Sequence, residues 1–454
     1  MPRTAPARNS PRLKPAMNSV ASDNDTSVRQ AAAVIQRSPR PLRLDCGVQH
    51  YSWGDSTFIP TLIGQSNRSR RPFAELWIGA HPDLPSVAWI DGKPVTLDRL
   101  IEAAPEALLG RDLATRFNGK LPFLFKVLAA RQPLSIQVHP NLEQARAGFD
   151  REDRDGVPIG DAKRNYRDRN HKPELLMALT DLYALRGFRP LSEVAALLAS
   201  MPELHTLTEA LDDSDRGLGH LYRRLMRLPQ QAVNALLDPL LQRLHDEHSA
   251  TAFPRDDPRF WLLHADRGFS LPGRRDRGLF STLLLNLMHL HPGQGIFLPA
   301  GELHSYLQGV GLELMANSNN VLRGGLTPKH IDVDELLSVV RFDSAPAAVI
   351  EPQSMDPARL RYRVPATEFE LEALSLRTGE QRSLPQAGIR IALVLDGELE
   401  LDSNTGASLR LGRGQSFLVP AGCATTLRAI RETSLYVAGV PNDNHVNPVA
   451  PSGA

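Results

Sequence analysis

Cysteine is scarce in this chain of 454 residues: there are two, Cys46 and Cys423, far apart and without metal-type spacing. That excludes a disulfide framework and suits a reducing, cytoplasmic setting. An excess of one charge is missing too. Lys plus Arg number 52 against 51 for Asp plus Glu, a formal net charge of +1. Bulk electrostatics therefore favours neither nucleic acid nor an anionic membrane as partner. No apolar run approaches the ~18 residues that suggest a membrane span. The longest candidate, 295–314, is broken by Pro299, Gly301, Glu302, His304 and Glu313. The chain is too long for one ordinary core, so two or three domains are expected.

The first 42 residues hold seven Arg or Lys, two Asp and few large apolar residues. Such a segment cannot bury enough surface to fold, and a disordered tail is expected over 1–42. Residues 43–180 read mostly as short strands between turn signals. Residues 181–285 read as helical. Leu191–Ala199 starts with Ser192 as a candidate N-cap and puts Val194, Leu197 and Leu198 on one face. A second stretch carries Val233, Leu236, Leu237, Leu240, Leu241 and Leu244, and Pro239 should kink or split it.

The chain also repeats itself. Gly293-Gln-Gly-Ile-Phe-Leu-Pro-Ala-Gly301 matches Gly414-Gln-Ser-Phe-Leu-Val-Pro-Ala-Gly422. Two copies of a strand bounded by glycine turns suggest two related β-barrels. Near the second copy, Ile389–Leu401 reads as a hairpin about Asp396-Gly397. These features resemble the cupin jelly roll. The expected fold is mainly β: two cupin-type jelly-roll barrels with an inserted α-helical domain. The first barrel would be discontinuous, 43–180 plus 286–345, with helices over 181–285 and the second barrel over 346–447. His304 follows the first Pro-Ala-Gly by three residues and Thr425 the second, so the second barrel should lack metal ligands.

Ser135 to His139 alternates polar and apolar residues, which is strand periodicity. Side chains at i and i+2 share a face, so Gln137 and His139 project together beside Ser135. Alone, this triplet reads as a strand with a polar outer face. A metal would need further ligands. His304, after a tight turn, is one candidate. Glu174 is another, on a segment that Pro173 bars from regular helix. Two imidazoles, a carboxylate and an amide oxygen suit zinc; manganese, cobalt or iron would tolerate the same set. His171 lies three residues from Glu174, which on an extended segment points it the opposite way.

Several ordered motifs together resemble the type I mannose-6-phosphate isomerases, or phosphomannose isomerases. They are Val48-Gln-His-Tyr-Ser-Trp-Gly54, Ala74-Glu-Leu-Trp-Ile-Gly-Ala-His-Pro82, Pro122-Phe-Leu-Phe-Lys-Val-Leu128 and Pro133-Leu-Ser-Ile-Gln-Val-His-Pro140. They continue with Asn170-His-Lys-Pro-Glu174, Gly187-Phe-Arg-Pro190, Tyr306-Leu-Gln-Gly309 and Asn319-Asn-Val-Leu-Arg-Gly-Gly-Leu-Thr-Pro-Lys-His330. The resemblance runs from about Leu44 to Asp334. The stretch before Arg323 departs from it, with Ser318-Asn-Asn320 where the family more often has Ser-Asp-Asn.

The resemblance implies interconversion of D-mannose 6-phosphate and D-fructose 6-phosphate. It implies one Zn²⁺ per chain, held by Gln137, His139, Glu174 and His304, and an active-site arginine at Arg323. Aldose–ketose isomerisation moves a proton between C2 and C1, and negative charge develops on O1 and O2. Arg323 and Lys172 can stabilise that charge. Glu313, Lys172 and His81 are candidate bases. Lys126, Lys329 and Ser135 are candidate substrate contacts, and Trp53, Tyr306 and Glu75 candidate pocket walls. The expected partner is a small sugar phosphate, with neither nucleic acid nor membrane involved. A monomer is expected, with weak self-association as the alternative. Competing readings are another metal cupin enzyme acting on a sugar phosphate and a non-catalytic sugar-phosphate-binding cupin.

Overall fold

Strand Phe123–Ala130 shows how the architecture is built. Every residue in it is buried, so both faces must be covered. Phe123, Phe125, Val127 and Ala129 enter a core shared by two large sheets. Leu128 and Ala130 belong to a cluster on the opposite face, where Lys126 also projects by the two-residue strand period. The same alternation recurs in strand Glu174–Ala178, with Leu175 and Met177 in the shared core and Leu176 and Ala178 on the inner side.

The computed structural model describes residues 25–208, 211 and 215–441. Among them the fold is mainly β with helices. A ten-stranded sheet runs Leu285–Leu290, Leu182–Phe188, His304–Ala316, Phe123–Ala130, Glu75–Ile78, Gly47–Gln49 along its main path. Strands Ile136–Val138, Glu174–Ala178, Gly295–Leu298 and Leu322–Gly325 pair off that path. A nine-stranded sheet takes Leu42–Asp45, Val87–Ile90 and Lys93–Thr96 from the first part of the chain and its other six strands from beyond residue 352. A four-stranded sheet carries Glu398–Ser403 and Thr425–Ala429 in its centre.

The echo has a structural counterpart. Its two strands are Gly295–Leu298 and Ser416–Val419. Each copy ends on a glycine in the left-handed region, Gly301 at φ 82° and Gly422 at φ 73°, a conformation that favours glycine. Phe417 and Val419 face one apolar cluster and Leu418 the other, as strand alternation requires.

Several expectations need correction. The tail expected over 1–42 is ordered from residue 25. Asp25–Arg37 is a helix, and Leu42 opens a strand. Val28, Ala31, Ala32 and Ile35 lie at helical spacing and enter the shared core. The stripe was hidden because two of its four residues are alanines, which carry little hydrophobic signal. Residues 1–24 lie outside the described residues. The hairpin at Asp396-Gly397 does not form. Arg390–Asp396 belongs to the nine-stranded sheet and Glu398–Ser403 to the four-stranded one, so Gly397, at φ 88°, is a corner between sheets. A Cβ there would meet Glu432 O at 2.1 Å. The domain limits also shift. Leu182–Phe188, inside the segment read as helical, pairs with His304–Ala316. Leu42–Asp45 pairs with Ser416–Val419 across the limit drawn at 346. Residues 43–180 contain helices as well as strands, notably Leu142–Arg154, started by an Asn141–Gln144 capping box. Helix Leu191–Ala199 starts from Pro190 rather than from a Ser192 cap. Pro239 sits inside one continuous helix, Gln230–Ala250.

Ile35 is fully buried, so Ile35→Ala should cost about 2–5 kcal/mol. Urea unfolding reads this directly. A loss within the ~0.5 kcal/mol typical of surface substitutions would show that the helix is not docked.

Candidate active site

Three adjacent strands assemble the first ligands. Ile136–Val138 lies between His304–Ala316 and Leu322–Gly325, with Gln137 in register with both His304 and Arg323. Directly opposed residues share a face of a sheet. His139 follows the end of its strand, while Glu174 and His304 each open one. The ligating atoms of His139, Glu174 and His304 lie within 4.8 Å of one another, and all three residues are buried.

The ring nitrogens are already sorted. His139 Nδ1 is 2.8 Å from the Asn320 carbonyl, and His304 Nδ1 is 3.0 Å from the Glu302 carbonyl. A carbonyl only accepts, so each Nδ1 carries the proton and each Nε2 offers a lone pair. His139 Nε2 stands 3.4 Å from Glu174 Oε1 and His304 Nε2 3.4 Å from Oε2. Both Nε2 atoms are buried without a hydrogen-bond partner. A buried, unsatisfied polar atom is costly; two of them aimed at one carboxylate fit a cation between them. Burial and Lys172 push the His139 imidazole down to about 4, so it is neutral at physiological pH. Two imidazoles and a carboxylate match zinc with an open position. Gln137 lines the adjoining cavity and offers an amide oxygen as a further ligand.

Glu174 is held from several sides. Lys172 Nζ lies 2.9 Å from Oε1, and the Tyr306 hydroxyl donates to Oε2 at 3.3 Å. Burial pushes this carboxyl up, but the Lys172 charge outweighs it and holds it well below the ordinary range. A second charged group lies on neighbouring strands. Lys126 Nζ donates to Glu313 Oε2 at 2.8 Å and sits 3.6 Å from Glu75 Oε2. Glu75 in turn accepts from Trp77 Nε1 at 2.6 Å. Burial raises the Glu313 carboxyl above its ordinary value against the pull of Lys126. Burial alone would lower Lys126, but Glu313 and Glu75 raise it.

One cavity of about 1020 Å³ gathers the sequence-derived candidates. Ser135, Gln137, Lys126, Lys172, Glu174, Tyr306, Glu313, Arg323, Lys329, Trp53 and Glu75 all line it. Arg323 has no hydrogen-bond or ion-pair partner among the described residues, and burial lowers its guanidinium, which still remains charged. His81 is not brought to the cavity wall. It is buried edge-on against Trp77, and its Nδ1 accepts from the Asp83 amide at 3.2 Å. His171 turns away from the ligands to Glu368, 2.6 Å from Oε1.

Two contributions escaped sequence reasoning. Asn320 is fully buried, and its side chain holds the segment leading to Lys172 and Glu174. Its Oδ1 accepts from the amides of Arg167 and Asp168, and its Nδ2 donates to the carbonyls of Asp168 and Asn170. The asparagine doublet in the motif was the only available signal. The second contribution is the wall formed by Arg274, Arg275 and Arg277. Between them, Asp276 accepts from the amides of Leu326 and Thr327 and so pins the loop before Lys329. No local pattern in the sequence joins these arginines to the metal strand.

A buried two-imidazole, one-carboxylate centre opening into a cation-lined cavity on a β scaffold defines a metal-dependent enzyme. The phosphomannose isomerase type I catalytic domain family matches residues 42–191. Mannose-6-phosphate isomerase of Escherichia coli (strain K12) is 40% identical over 378 residues, 82% of this chain and 93% of that protein. Mannose-6-phosphate isomerase 1 of Arabidopsis thaliana is 32% identical over 422 residues, covering 88% and 93%. A crystal structure of a phosphomannose isomerase variant from Salmonella typhimurium aligns with TM-score 0.79 at 35% identity, covering 88% of this chain and 100% of that one. A zinc-bound mannose 6-phosphate isomerase aligns with TM-score 0.78 at 35% identity, with the same coverage. The chain belongs to the mannose-6-phosphate isomerase family.

Asn320→Ala removes five hydrogen bonds to one segment and leaves buried amides and carbonyls unpaired. We expect metal affinity to fall about 10–100-fold, the range for loss of an outer-shell support. Titration of the metal-free protein with Zn²⁺ measures it; unchanged affinity would show that the segment holds its shape without Asn320.

Proposed function

We propose that the protein interconverts D-mannose 6-phosphate and D-fructose 6-phosphate with one Zn²⁺ per chain, held by Gln137, His139, Glu174 and His304. The observation that carries this reading is the pair of unpartnered Nε2 atoms facing Glu174 beside a cavity lined by Arg323, Lys172 and Lys126. A bound divalent cation supplies Lewis-acid polarisation of sugar oxygens. The side chains account for the rest. Glu313 is the group we assign to carry the proton between C2 and C1. It lines the cavity, burial raises its carboxyl, and Lys126 fixes its position. Lys172 holds Glu174 in place. Arg323, unpaired and aimed at the same space, stabilises negative charge on the enediolate oxygens without solvent having to reorganise. Lys329, Arg274 and the Ser135 hydroxyl are suited to the phosphate.

The repeated strand and turn support two related cupin-type jelly rolls, with the helices of 191–284 packed beside the first. In the second copy, Thr425 Oγ1 donates to the Cys423 carbonyl where the first copy has a ligand. The cysteines, Cys46 and Cys423, are unpaired, which suits a reducing, cytoplasmic setting. No helix among the described residues is long and apolar enough to cross a membrane.

Purified protein should turn over mannose 6-phosphate, lose activity on chelation and regain it with Zn²⁺. His304→Ala should stay folded but lose most metal and activity. A metal-free His304→Ala protein with full activity would refute the assigned centre.

Arg323→Ala should lower kcat roughly 10²–10³-fold and leave the metal in place, because its interaction is made mainly in the transition state. A raised KM with unchanged kcat would make Arg323 a phosphate clamp instead. Glu313→Gln should abolish exchange of the C2 hydrogen with solvent while metal content stays intact. Continued exchange would assign the base elsewhere.

A further inference from the structure

A second group of potential ligands lies outside the cavity, on the edge strand Leu285–Leu290 of the ten-stranded sheet. His289 and His291 are two residues apart. Asp181 immediately precedes the neighbouring strand Leu182–Phe188, whose Leu182 pairs with Leu290. His289 Nε2 is 3.1 Å and His291 Nδ1 3.0 Å from the same oxygen, Asp181 Oδ1. The three donor atoms lie within 4.8 Å of one another.

We propose that Asp181, His289 and His291 form a second site for a divalent transition ion, peripheral to the catalytic centre. Three features carry it. The first is chemistry: two imidazoles and one carboxylate repeat the donor types of the buried centre and favour zinc or a neighbouring ion. The second is spacing. Bonds of about 2.0–2.2 Å require ligand atoms about 2.9–3.4 Å apart at tetrahedral or octahedral angles, and the two contacts to Asp181 fall in that interval. The third is preorganisation. The His289 ring stacks on Tyr183 with centroids 4.3 Å apart and planes 13° from parallel. The His291 amide donates to Gln294 Oε1 at 2.9 Å, which fixes the turn that presents it. The His289 ring is therefore placed before an ion arrives, and the His291 backbone is held in position beside it.

The balance of charge is favourable but modest. Asp181 brings one negative charge, and its hydrogen bonds from His291 and His289 hold its carboxyl below the ordinary value. Binding replaces those two hydrogen bonds with bonds to the ion, and any ring proton on a ligating nitrogen leaves to solvent. Arg255, 6.0 Å from the Tyr183 ring, carries an opposing charge. The side chains of Asp181 and His291 are both 63% exposed, so water completes the coordination and exchange is fast. None of the three residues lines the catalytic cavity. A bound ion would tie the end of one edge strand to the start of its neighbour.

The test is equilibrium dialysis of the holoenzyme, already carrying its resident metal, against micromolar Zn²⁺. Wild-type protein should take up one further equivalent. His291→Ala and Asp181→Asn should each weaken that uptake about tenfold or more, while isomerase turnover stays at the wild-type level. Saturating Zn²⁺ should raise the Tm of wild type and leave that of His291→Ala unmoved, since only an ion bound to the folded state stabilises it. Absence of a second equivalent in wild type would overturn the proposal. So would a His291→Ala protein that binds it with unchanged affinity.

Discussion

The negative charge of Glu174, 1% exposed, is the constraint around which the rest of the centre is arranged. A buried carboxylate costs several kcal/mol unless it is matched. Here Lys172, Tyr306 and two imidazoles surround it. The imidazoles would be poor partners without a cation between, because their facing nitrogens carry lone pairs. The backbone carbonyls of Asn320 and Glu302 enforce that orientation. The affinity of the centre for metal is thus set one layer out, by main-chain atoms whose placement depends on the Asn320 side chain and on the Gly301 turn. The preference for a cation is built into the protein before any cation arrives.

One strand distributes this arrangement through the fold. His304–Ala316 begins against Ile136–Val138 and Leu182–Phe188 and ends between Phe123–Ala130 and Glu174–Ala178. It changes partners near Gly309, whose φ of 129° and close approach to Leu182 leave no room for a side chain. The same strand carries His304 at one end, Tyr306 next to it and Glu313 further along. A ligand, the hydroxyl that supports a second ligand, and the proposed base therefore move as one rigid unit, which is how a scaffold holds reacting groups within fractions of an ångström.

The metal centre was more legible in the sequence than the fold around it. Two-residue spacing puts Gln137 and His139 on one face, but it was the resemblance to the family that singled them out together with Glu174 and His304; the structure groups His139, Glu174 and His304. Each of those motifs is local, so a short stretch of sequence carries it. The signals that failed needed distant information. Asp396-Gly397 has hairpin chemistry, but its flanking strands find better partners in two different sheets. Asp25–Arg37 hides its buried stripe because half of it is alanine, Ala31 and Ala32, and only the core it docks onto makes that stripe recognisable. Asn320 is important for what it touches, the 167–170 segment, and asparagines on loops are too common to stand out. Arg274 and Arg277 reach the cavity from a helical region whose position no periodicity predicts.

The strand Leu42–Asp45 has a consequence for how this protein is made. Leu42 pairs with Leu418, and Leu44 with both Ser416 and Ala88. On a ribosome adding about 5–20 residues per second, the early strand waits tens of seconds for its partner. During that time one edge of the strand, with its apolar face, is open to any passing neighbour. The two halves of the nine-stranded sheet cannot be joined until Ser416–Val419 has been made. The nascent chain therefore needs protection at Leu42–Asp45 until that late partner arrives.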